Sequence, residues 1–432
     1  MDVWGSPARS VARLAAVGTL LMLAPTFHQG SSGAASAAAS PASPASPASP
    51  ASAVSAGSTG AGPNNRAAAT ATASATAAAS ASAARAGIRV VHFPVDHQLY
   101  PRTHIGDRTA KVAVTVTSSS TEVTSLTLTS SAKGVRARSS TVAVTRGHAV
   151  TLTTRVPVVL ASSSVVLTAH GPHGSSVVAR ARDVVAGDVY VVNGQSNAEA
   201  AAFPQEDPAA QADAANPWVR TVGGGWDTTA RSAADRGWYV ATGGGGRNSS
   251  GSIGKWELRM ADLLVRRHHV PVAVLNGAHS GEPISWFEPK QVQPGDAGNN
   301  YNRLLARLAA YGLAGSVRSL IFYQGESDAH SVAEAGRWRP AFDALLDAWH
   351  ASFPRLVHVY VTQVRGCPGS PPAATKRIRE EQQGLAALPG VRVVSTDALR
   401  NQDGCHFHYT GGYRVLGTRY AALIGQDTYG AP

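Results

Sequence analysis

The sequence predicts an α/β fold in which a doubly wound parallel sheet is preceded by a small β-sandwich domain. Two observations support this prediction. After residue 184, short apolar segments alternate with stretches that carry apolar residues at helical spacing, which is typical of parallel sheets covered by helices on both faces. Before that residue, Val- and Thr-rich segments alternate with period two, as antiparallel strands do.

The first 86 residues are expected to lie outside both folded parts. Residues 1–30 read as a secretory signal peptide, because two arginines precede an apolar run that is too short to span a bilayer. Residues 31–86 are rich in Ala, Ser and Pro and predict a disordered linker, since they hold almost no large apolar side chains. We therefore expect a secreted, extracellular protein without stable membrane insertion, or a surface-tethered one if the signal is not cleaved.

Residues 87–183 carry the period-two pattern and predict the β-sandwich domain. The alternating segments are 111–117, 125–129, 140–145, 149–154, 164–168 and 176–179. Gly, Ser and Arg residues separate them, as turns require. The pattern leaves two roles open for this domain, which are ligand binding and the structural support of the domain that follows.

Residues 184–432 predict the doubly wound domain. The predicted strands are 188–193, 270–275, 319–323, 357–361 and 391–394. The predicted helices are 256–267, 302–313, 340–349, 374–388 and 411–424. In such sheets ligands bind at the carboxyl ends of the strands, so the polar residues that follow each strand are the candidate site.

Composition excludes two classes of function. The formal charge is +11, but the basic residues are scattered and no basic stripe with interleaved aromatic residues is present, so nucleic acid is not an expected partner. The two cysteines, Cys367 and Cys405, are too few for a four-cysteine zinc site. In an oxidising compartment they permit one disulfide.

A serine follows the first predicted strand of the sheet, in Gly194-Gln195-Ser196-Asn197. At the start of a helix, its hydroxyl would face the cleft and free backbone N–H groups nearby could hold an oxyanion. An ordinary helix N-cap would also select serine, so this motif alone leaves both interpretations open.

The last loop carries a carboxylate and an imidazole three residues apart, Asp403 and His406. A serine nucleophile needs an imidazole base, and the imidazole needs a carboxylate to orient it. A surface turn is the ordinary alternative, and His408 is a competing base. The spacing to Asp403 favours His406.

Two further loops supply candidate groups for binding the oxyanion. Gly281 follows the second strand, where a glycine lets the backbone approach a ligand and donate an N–H. Gln324 and Glu326 follow the third strand, and the Gln324 amide is a second candidate donor. Turn formation would explain either loop by itself.

Together these blocks resemble the sialate O-acetylesterase and acetylxylan-esterase group of carbohydrate esterases, which belongs to the SGNH hydrolases. The blocks are 187–197, 280–286, 323–328 and the loop with Asp403 and His406. The resemblance extends over about residues 187–424. It implies the SGNH hydrolase fold, which has a flavodoxin-like doubly wound sheet, and a reaction that needs no metal or cofactor.

The resemblance also implies a role for each residue of the blocks. Ser196 is the expected nucleophile, His406 its base and Asp403 the partner of the base. The oxyanion hole is expected from the N–H groups of Ser196 and Gly281 and from a side chain of the third block.

The third block departs from the broader superfamily, because Gln324 and Glu326 stand where Asn is usual. The esterase group shares this form, which leaves open whether Glu326 acts as a second acid or shapes the site. In the second block, Ser280 replaces the first of two glycines.

The expected function is therefore that of a secreted serine esterase. It would hydrolyse O-acetyl esters of carbohydrates through an acetyl-enzyme, with an acetylated carbohydrate or another small acetyl ester as its partner. Because Cys367 follows the fourth strand and Cys405 adjoins His406, we expect a disulfide that ties the last loop to the neighbouring strand end.

Two alternative functions remain at this stage. An α/β-hydrolase-type esterase of other acyl esters would use a nucleophile elbow, which residues 194–198 almost match. A non-catalytic carbohydrate-binding surface protein would suit the linker and the β-domain. Against them stand the short spacing of Asp403 and His406 and the complete Ser/His/Asp set.

A long glycine-rich loop, roughly residues 199–250, is expected to frame the cleft. Its aromatic residues and Trp286 are candidates either for stacking on sugar rings or for core packing. The loop residues concerned are Trp226, Trp238 and Tyr239.

Overall fold

The structure is a computed structural model, which describes residues 87–201, 213–223, 235–244, 250–289, 300–400 and 403–430. The expected signal peptide and linker, and parts of the long loop, lie outside these residues. Within them there are sixteen strands and six α-helices. None of the helices in this described part is both long and apolar enough to cross a membrane.

The elements are numbered in chain order. The strands are β1 (Ile88–Val90), β2 (Leu99–Pro101), β3 (Thr109–Ser118), β4 (Ser125–Ala132), β5 (Val135–Ala143), β6 (Ala149–Pro157), β7 (Ser163–Gly171), β8 (Gly174–Gly194), β9 (Val219–Val222), β10 (Trp238–Val240), β11 (Thr242–Gly243), β12 (Ser252–Ile253), β13 (Val272–Asn276), β14 (Ser319–Tyr323), β15 (His358–Thr362) and β16 (Val391–Val394). The helices are α1 (Ser196–Glu199), α2 (Lys255–His268), α3 (Asn300–Ala310), α4 (Val332–Ser352), α5 (Pro372–Gly384) and α6 (Arg414–Ile424).

The central sheet has the strand order β10-β9-β13-β8-β14-β15-β16. Every neighbouring pair is parallel except β10 with β9. Five neighbouring strands of this sheet are β13, β8, β14, β15 and β16. When they are numbered 1 to 5 by their position in the chain, their spatial order is 2-1-3-4-5, which is the flavodoxin-like order. All residues of β13 and β14 are buried, as expected for strands with helices on both faces. The predicted α/β class is confirmed.

The helices fall into two groups. Because parallel crossovers are right-handed, α2 lies on one face of the sheet and α3, α4 and α5 lie on the other. Helix α6 packs against α2, where Trp256 and Tyr420 stack with ring centroids 4.8 Å apart. Helix α4 packs against α5, and Tyr301 of α3 donates a 2.7 Å hydrogen bond to the carbonyl of Ala348. These contacts bury both faces of the sheet.

The strands before residue 184 are antiparallel, as the period-two pattern predicts. One sheet pairs β1, β3 and β6, and another set of pairs joins β5, β4, β7 and β8. Alternate residues of both sets contribute to one buried cluster, which includes Val112 and Val114 of β3 and Leu126 and Leu128 of β4. A separate β-sandwich domain over residues 87–183 stays a prediction.

The longest strand, β8, takes part in both groups of strands. It pairs antiparallel with β7 as far as Val184 and then pairs in parallel with β13 and β14. At Asp183 the backbone has a φ of 53°, and its carboxylate binds His97 Nδ1 at 2.7 Å and Arg220 Nη2 at 3.0 Å. The change of sequence pattern at 183/184 thus marks a change of strand partners, and the strand itself continues.

A buried ion pair connects the N-terminal strands to the central sheet. Strand β2 pairs with β8, and Arg102 follows it directly. The Arg102 guanidinium donates to both carboxylate oxygens of Asp188 in β8, at 2.8 and 2.6 Å, and the Tyr429 hydroxyl donates to the same carboxylate at 2.7 Å. Both charged side chains are almost fully buried, so each depends on the other.

We expect the Asp188→Ala variant to lose about 3–5 kcal/mol of the free energy of unfolding, because Arg102 would then be buried without a counter-charge. Urea unfolding followed by circular dichroism measures this loss. Lys376→Ala is the control, since it breaks the exposed i,i+4 pair with Glu380 on α5 and should change stability by less than about 0.5 kcal/mol. Equal effects of the two substitutions would contradict the prediction.

Candidate active site

Ser196 is placed by a tight turn at the carboxyl end of β8. Gly194 has a φ of 133°, and a Cβ at this position would collide with the carbonyl of Tyr323 in the neighbouring strand β14. Gln195 N–H donates to the same carbonyl at 2.9 Å. Only glycine fits this close approach. The chain then enters α1, and Ser196 is its first residue, half-buried at the edge of the sheet.

His406 lies between Ser196 and Asp403. Its Nε2 is 2.9 Å from Ser196 Oγ, and its Nδ1 is 2.8 Å from Asp403 Oδ2. The other carboxylate oxygen of Asp403 accepts the backbone N–H groups of Cys405 at 2.9 Å and His406 at 2.8 Å. In the part of the chain that the structure describes, no contact joins His408 to the Ser196 hydroxyl. The last loop therefore presents His406 to Ser196.

The charge of Asp403 decides which ring nitrogen of His406 carries hydrogen. Partial burial opposes ionisation of this carboxyl, but the backbone N–H and ring of His406 and the N–H of Cys405 lower its pKa to about 2. An ionised carboxylate only accepts hydrogen bonds, so His406 Nδ1 must donate to it. In the neutral ring Nε2 is then the acceptor for the Ser196 O–H. The arrangement is able to remove the serine proton.

Two backbone N–H groups, those of Ser196 and Gly281, are candidates for binding an anionic oxygen. The loop after β13 is tied to β8 by the bonds of Gly277 N–H to Val192 O and of His279 N–H to Gly194 O, both 2.8 Å. Gly281 follows in this loop with a φ of 79°. Among the described residues, neither the N–H of Ser196 nor that of Gly281 has a protein acceptor. Both are therefore able to bind an anionic oxygen of a ligand.

Gln324 is fully buried, and its side chain is already occupied. Its amide N–H group donates to Asp328, to the carbonyl of Glu282 at 3.2 Å and to Gln195 Oε1 at 3.3 Å. Its Oε1 accepts the indole N–H of Trp338 at 2.8 Å. The amide donors are thus engaged by protein acceptors in this structure, and a role for Gln324 in binding an oxyanion stays a prediction. The contacts instead connect the loops that follow β8, β13 and β14.

Glu326 is buried and is connected to the last loop through Asn197. The Asn197 amide donates to Glu326 Oε1 at 2.8 Å and to the carbonyl of Cys405 at 3.2 Å, and it accepts from the Tyr413 hydroxyl at 2.8 Å. Burial raises the pKa of Glu326 to about 7. The sequence reasoning missed Asn197, although a buried amide directly after a candidate nucleophile is a recognisable signal.

A family model described as carbohydrate esterase, sialic acid-specific acetylesterase matches residues 186–426, which is more than half of the chain. The chain belongs to this family. The resemblance that the sequence blocks predict is confirmed, and the protein is a carboxylic ester hydrolase of the carbohydrate esterase class. The matched range contains every site residue discussed above. A comparison with curated proteins finds no match.

Solved structures support the fold of the esterase. A carbohydrate acetylesterase from Xanthomonas citri is similar with a TM-score of 0.52 and 22% identity, over 78% of this chain and 74% of the other. A protein from Arabidopsis thaliana is similar with a TM-score of 0.44 and 18% identity, over 56% of this chain and 99% of the other. At 22% identity the first similarity indicates the fold alone.

A disulfide joins Cys367, in the loop after β15, to Cys405 in the last loop of the esterase. Cys405 directly precedes His406, and its carbonyl is the acceptor for Asn197. Pro368 lies so close to Gly404 that a Cβ there would touch its ring. The last loop is thus held from two sides, covalently by the loop after β15 and by hydrogen bonds from α1.

The aromatic candidates for sugar stacking have different environments in the structure. Trp238 is 3% exposed and packs edge-on against Tyr311, which is core packing. Tyr239 donates to the carboxylate of Asp235. Trp286 is half-buried in the loop after β13, with its ring 5.4 Å from that of His279. Trp226 lies outside the described residues.

We expect the stability of Glu326→Gln to rise relative to the wild type as the pH rises from about 5 to 8. The ordinary pKa of this carboxyl is 4.5 and its folded pKa is about 7, so the folded state binds the extra proton between these values. The stability contributed by Glu326 is therefore fully present below about pH 4.5, and it is lost as the pH rises through about 7. The relative change should reach up to about 3 kcal/mol.

Urea unfolding of both proteins across this pH range measures the difference. Asp328, whose pKa burial raises to about 6, is present in both proteins, and its charge contributes to the raised pKa of Glu326. A stability difference that does not vary with pH would contradict the assignment of the proton to Glu326.

We expect the double variant Cys367→Ala/Cys405→Ala to lose about 2–4 kcal/mol of the free energy of unfolding, because the bond closes a loop between residues 38 positions apart. Its kcat should also fall, since the last loop would keep only its hydrogen bonds. Urea unfolding and aryl acetate hydrolysis measure the two effects. Wild type treated with a reductant should match the variant, and a variant with wild-type stability and kcat would refute the prediction.

Proposed function

We propose that this esterase is a secreted serine acetylesterase that removes O-acetyl groups from carbohydrates. The observation that carries the proposal is the continuous line of hydrogen bonds from Ser196 to His406 and from His406 to Asp403. Membership of a carbohydrate esterase family supports the substrate class. Ser196 is the nucleophile, His406 the general base and Asp403 the group that orients the base.

The first half of the reaction forms an acetyl-enzyme. Ser196 Oγ attacks the acetyl carbonyl carbon while His406 Nε2 takes the hydroxyl proton, and Asp403 stabilises the imidazolium. The oxyanion accepts hydrogen bonds from the N–H groups of Ser196 and Gly281, and each such donor lowers the barrier by roughly 3 kcal/mol. Gln324 is left out of this oxyanion hole. The ester bond breaks, and the sugar oxygen leaves with the proton returned by His406.

The second half returns the free enzyme. A water molecule attacks the acetyl carbonyl while His406 takes one of its protons, and the same two N–H groups bind the second oxyanion. The Ser196 oxygen leaves and receives the proton from His406. The products are acetate and the deacetylated sugar, and no step needs a metal or a cofactor.

Secretion and domain organisation form part of the proposal. The Cys367–Cys405 disulfide suits an oxidising compartment, and residues 1–30 have the composition of a signal peptide. We assign residues 87–183 to a β-sandwich domain and residues 184–432 to the esterase domain. The continuous strand β8 and the Arg102–Asp188 pair support a structural role for the first domain.

The geometry does not favour either alternative function. An α/β-hydrolase usually carries its acid well away from its histidine, whereas Asp403 and His406 lie in one loop and share hydrogen bonds. A non-catalytic binding protein has no use for an ordered set of nucleophile, base and acid.

Acetate release from an aryl acetate and from O-acetylated sugars tests the proposal. We expect Ser196→Ala and His406→Ala to reduce kcat by roughly 10⁴-fold or more, because the covalent route needs both groups. We expect Asp403→Asn to reduce it by roughly 10²–10⁴-fold, because the His406 tautomer is no longer fixed. Full-length wild type and Ser196→Ala are compared on the same substrate panel.

His408→Ala is the matched control, because it removes the neighbouring imidazole of the same loop. We expect it to keep a kcat close to that of the wild type. Wild-type activity in Ser196→Ala, or a larger loss in His408→Ala than in His406→Ala, would refute the proposed roles.

A further inference from the structure

The loop that carries Gly281 is attached to α1 at its beginning. Asn276 is the last residue of β13, and its side-chain amide donates to the carbonyl of Ala198 at 2.9 Å. Its side-chain oxygen accepts the N–H of Ala278 at 2.7 Å. Together with the bond from His279 N–H to Gly194 O, these contacts fix the loop as far as residue 279.

Gly281 itself has little around it. Apart from its two chain neighbours, no heavy atom of the described residues lies within 4 Å of the position that a Cβ would occupy, and its φ is 79°. A glycine without packed neighbours has wide conformational freedom. The N–H of Gly281 belongs to the peptide between Ser280 and Gly281, so the orientation of that peptide sets the direction of the N–H. Something other than local packing must therefore fix this peptide if the N–H is to bind an oxyanion.

Ser280 supplies a contact at this place. Its hydroxyl donates a 2.5 Å hydrogen bond to Glu199 Oε2. Glu199 is only 8% exposed and is the last residue of α1, the turn that begins with Ser196. The N–H of Ala200 donates to Ser196 O at 2.8 Å, so both ends of the turn are fixed relative to each other. The contact therefore fixes the position of the Ser280–Gly281 peptide relative to Ser196.

We propose that Ser280 and Glu199 are positioning residues that hold the Ser280–Gly281 peptide so that its N–H faces the oxyanion formed at Ser196. The proposal rests on the proposed function, because it assigns to Gly281 the second donor of the oxyanion hole. Position 280 is where this chain departs from the paired glycines of the resemblance, so the hydroxyl anchor is a feature of this chain. Neither residue takes part in proton transfer.

Ser280→Ala and Glu199→Ala in the full chain test the proposal. We expect each to lower kcat for an aryl acetate by about 10- to 100-fold. A misplaced N–H donor loses much of the oxyanion stabilisation that a correctly placed donor provides. KM should change by less than about twofold, because the oxyanion forms only in the transition state. Ser280→Thr keeps a hydroxyl and Glu199→Gln keeps an acceptor oxygen, so both should retain most of the activity.

A double-mutant cycle tests whether the two residues act together. In the Glu199→Ala background, Ser280→Ala should cause no further loss of kcat. Ser331→Ala is the matched control, since Ser331 also donates to a glutamate, Glu334, but at the start of α4. It should leave kcat and KM unchanged.

Inhibition by a trifluoromethyl ketone gives a readout that a purely structural role would not change. Its adduct with Ser196 places an oxyanion in the hole, so its Ki should rise in Ser280→Ala by the factor by which kcat/KM falls. Two results in Ser280→Ala would overturn the proposal, provided that Ser196→Ala is inactive. These are a kcat and a Ki equal to those of the wild type, or a raised KM with an unchanged kcat. Activity in Ser196→Ala would instead overturn the proposed function.

Discussion

The close approach of β8 to β14 at their carboxyl ends determines where Ser196 lies. Gly194 pairs with Tyr323 in the parallel register, and its missing side chain lets the two backbones meet. The Gln195 side-chain oxygen then accepts the N–H groups of Gly325 and Ser327, both at 3.2 Å. The loops after β8 and β14 are thus joined by the side chain and the backbone N–H of Gln195, the residue that precedes Ser196.

Buried polar side chains hold the remaining loops against this turn. Asn197 connects Glu326 to the last loop through the carbonyl of Cys405, and Glu199 accepts a hydrogen bond from Ser280. Burial of such groups is costly unless they are hydrogen-bonded, and burial raises the pKa of Glu326 to about 7. Raised pKa values of this kind cluster at functional sites, because the site is built for geometry at the expense of stability.

The N-terminal strands are connected to the central sheet through β8. Because one strand pairs first with β7 and then with β13 and β14, the two groups of strands share a continuous backbone. The buried contact of Arg102 with Asp188 adds a second connection near the beginning of the parallel sheet. This end of the sheet is opposite the carboxyl ends of the strands, where Ser196 lies.

The sequence alone predicted the α/β class and the esterase family, and both are confirmed. Alternation of buried strands with helices allows few other architectures. Ser196, His406 and Asp403 were predicted from the spacing within the last loop and from the resemblance of the motif blocks to a known esterase group. Only the tertiary structure decided the rest. A strand-end glutamine donates equally well to a ligand or to the protein, and the acceptors around Gln324 appear only when three loops meet. Ser280 and Glu199 are 81 residues apart, and their contact depends on β13 lying beside β8 in the sheet. Strand order is set by the packing of the whole chain, which local sequence patterns do not contain.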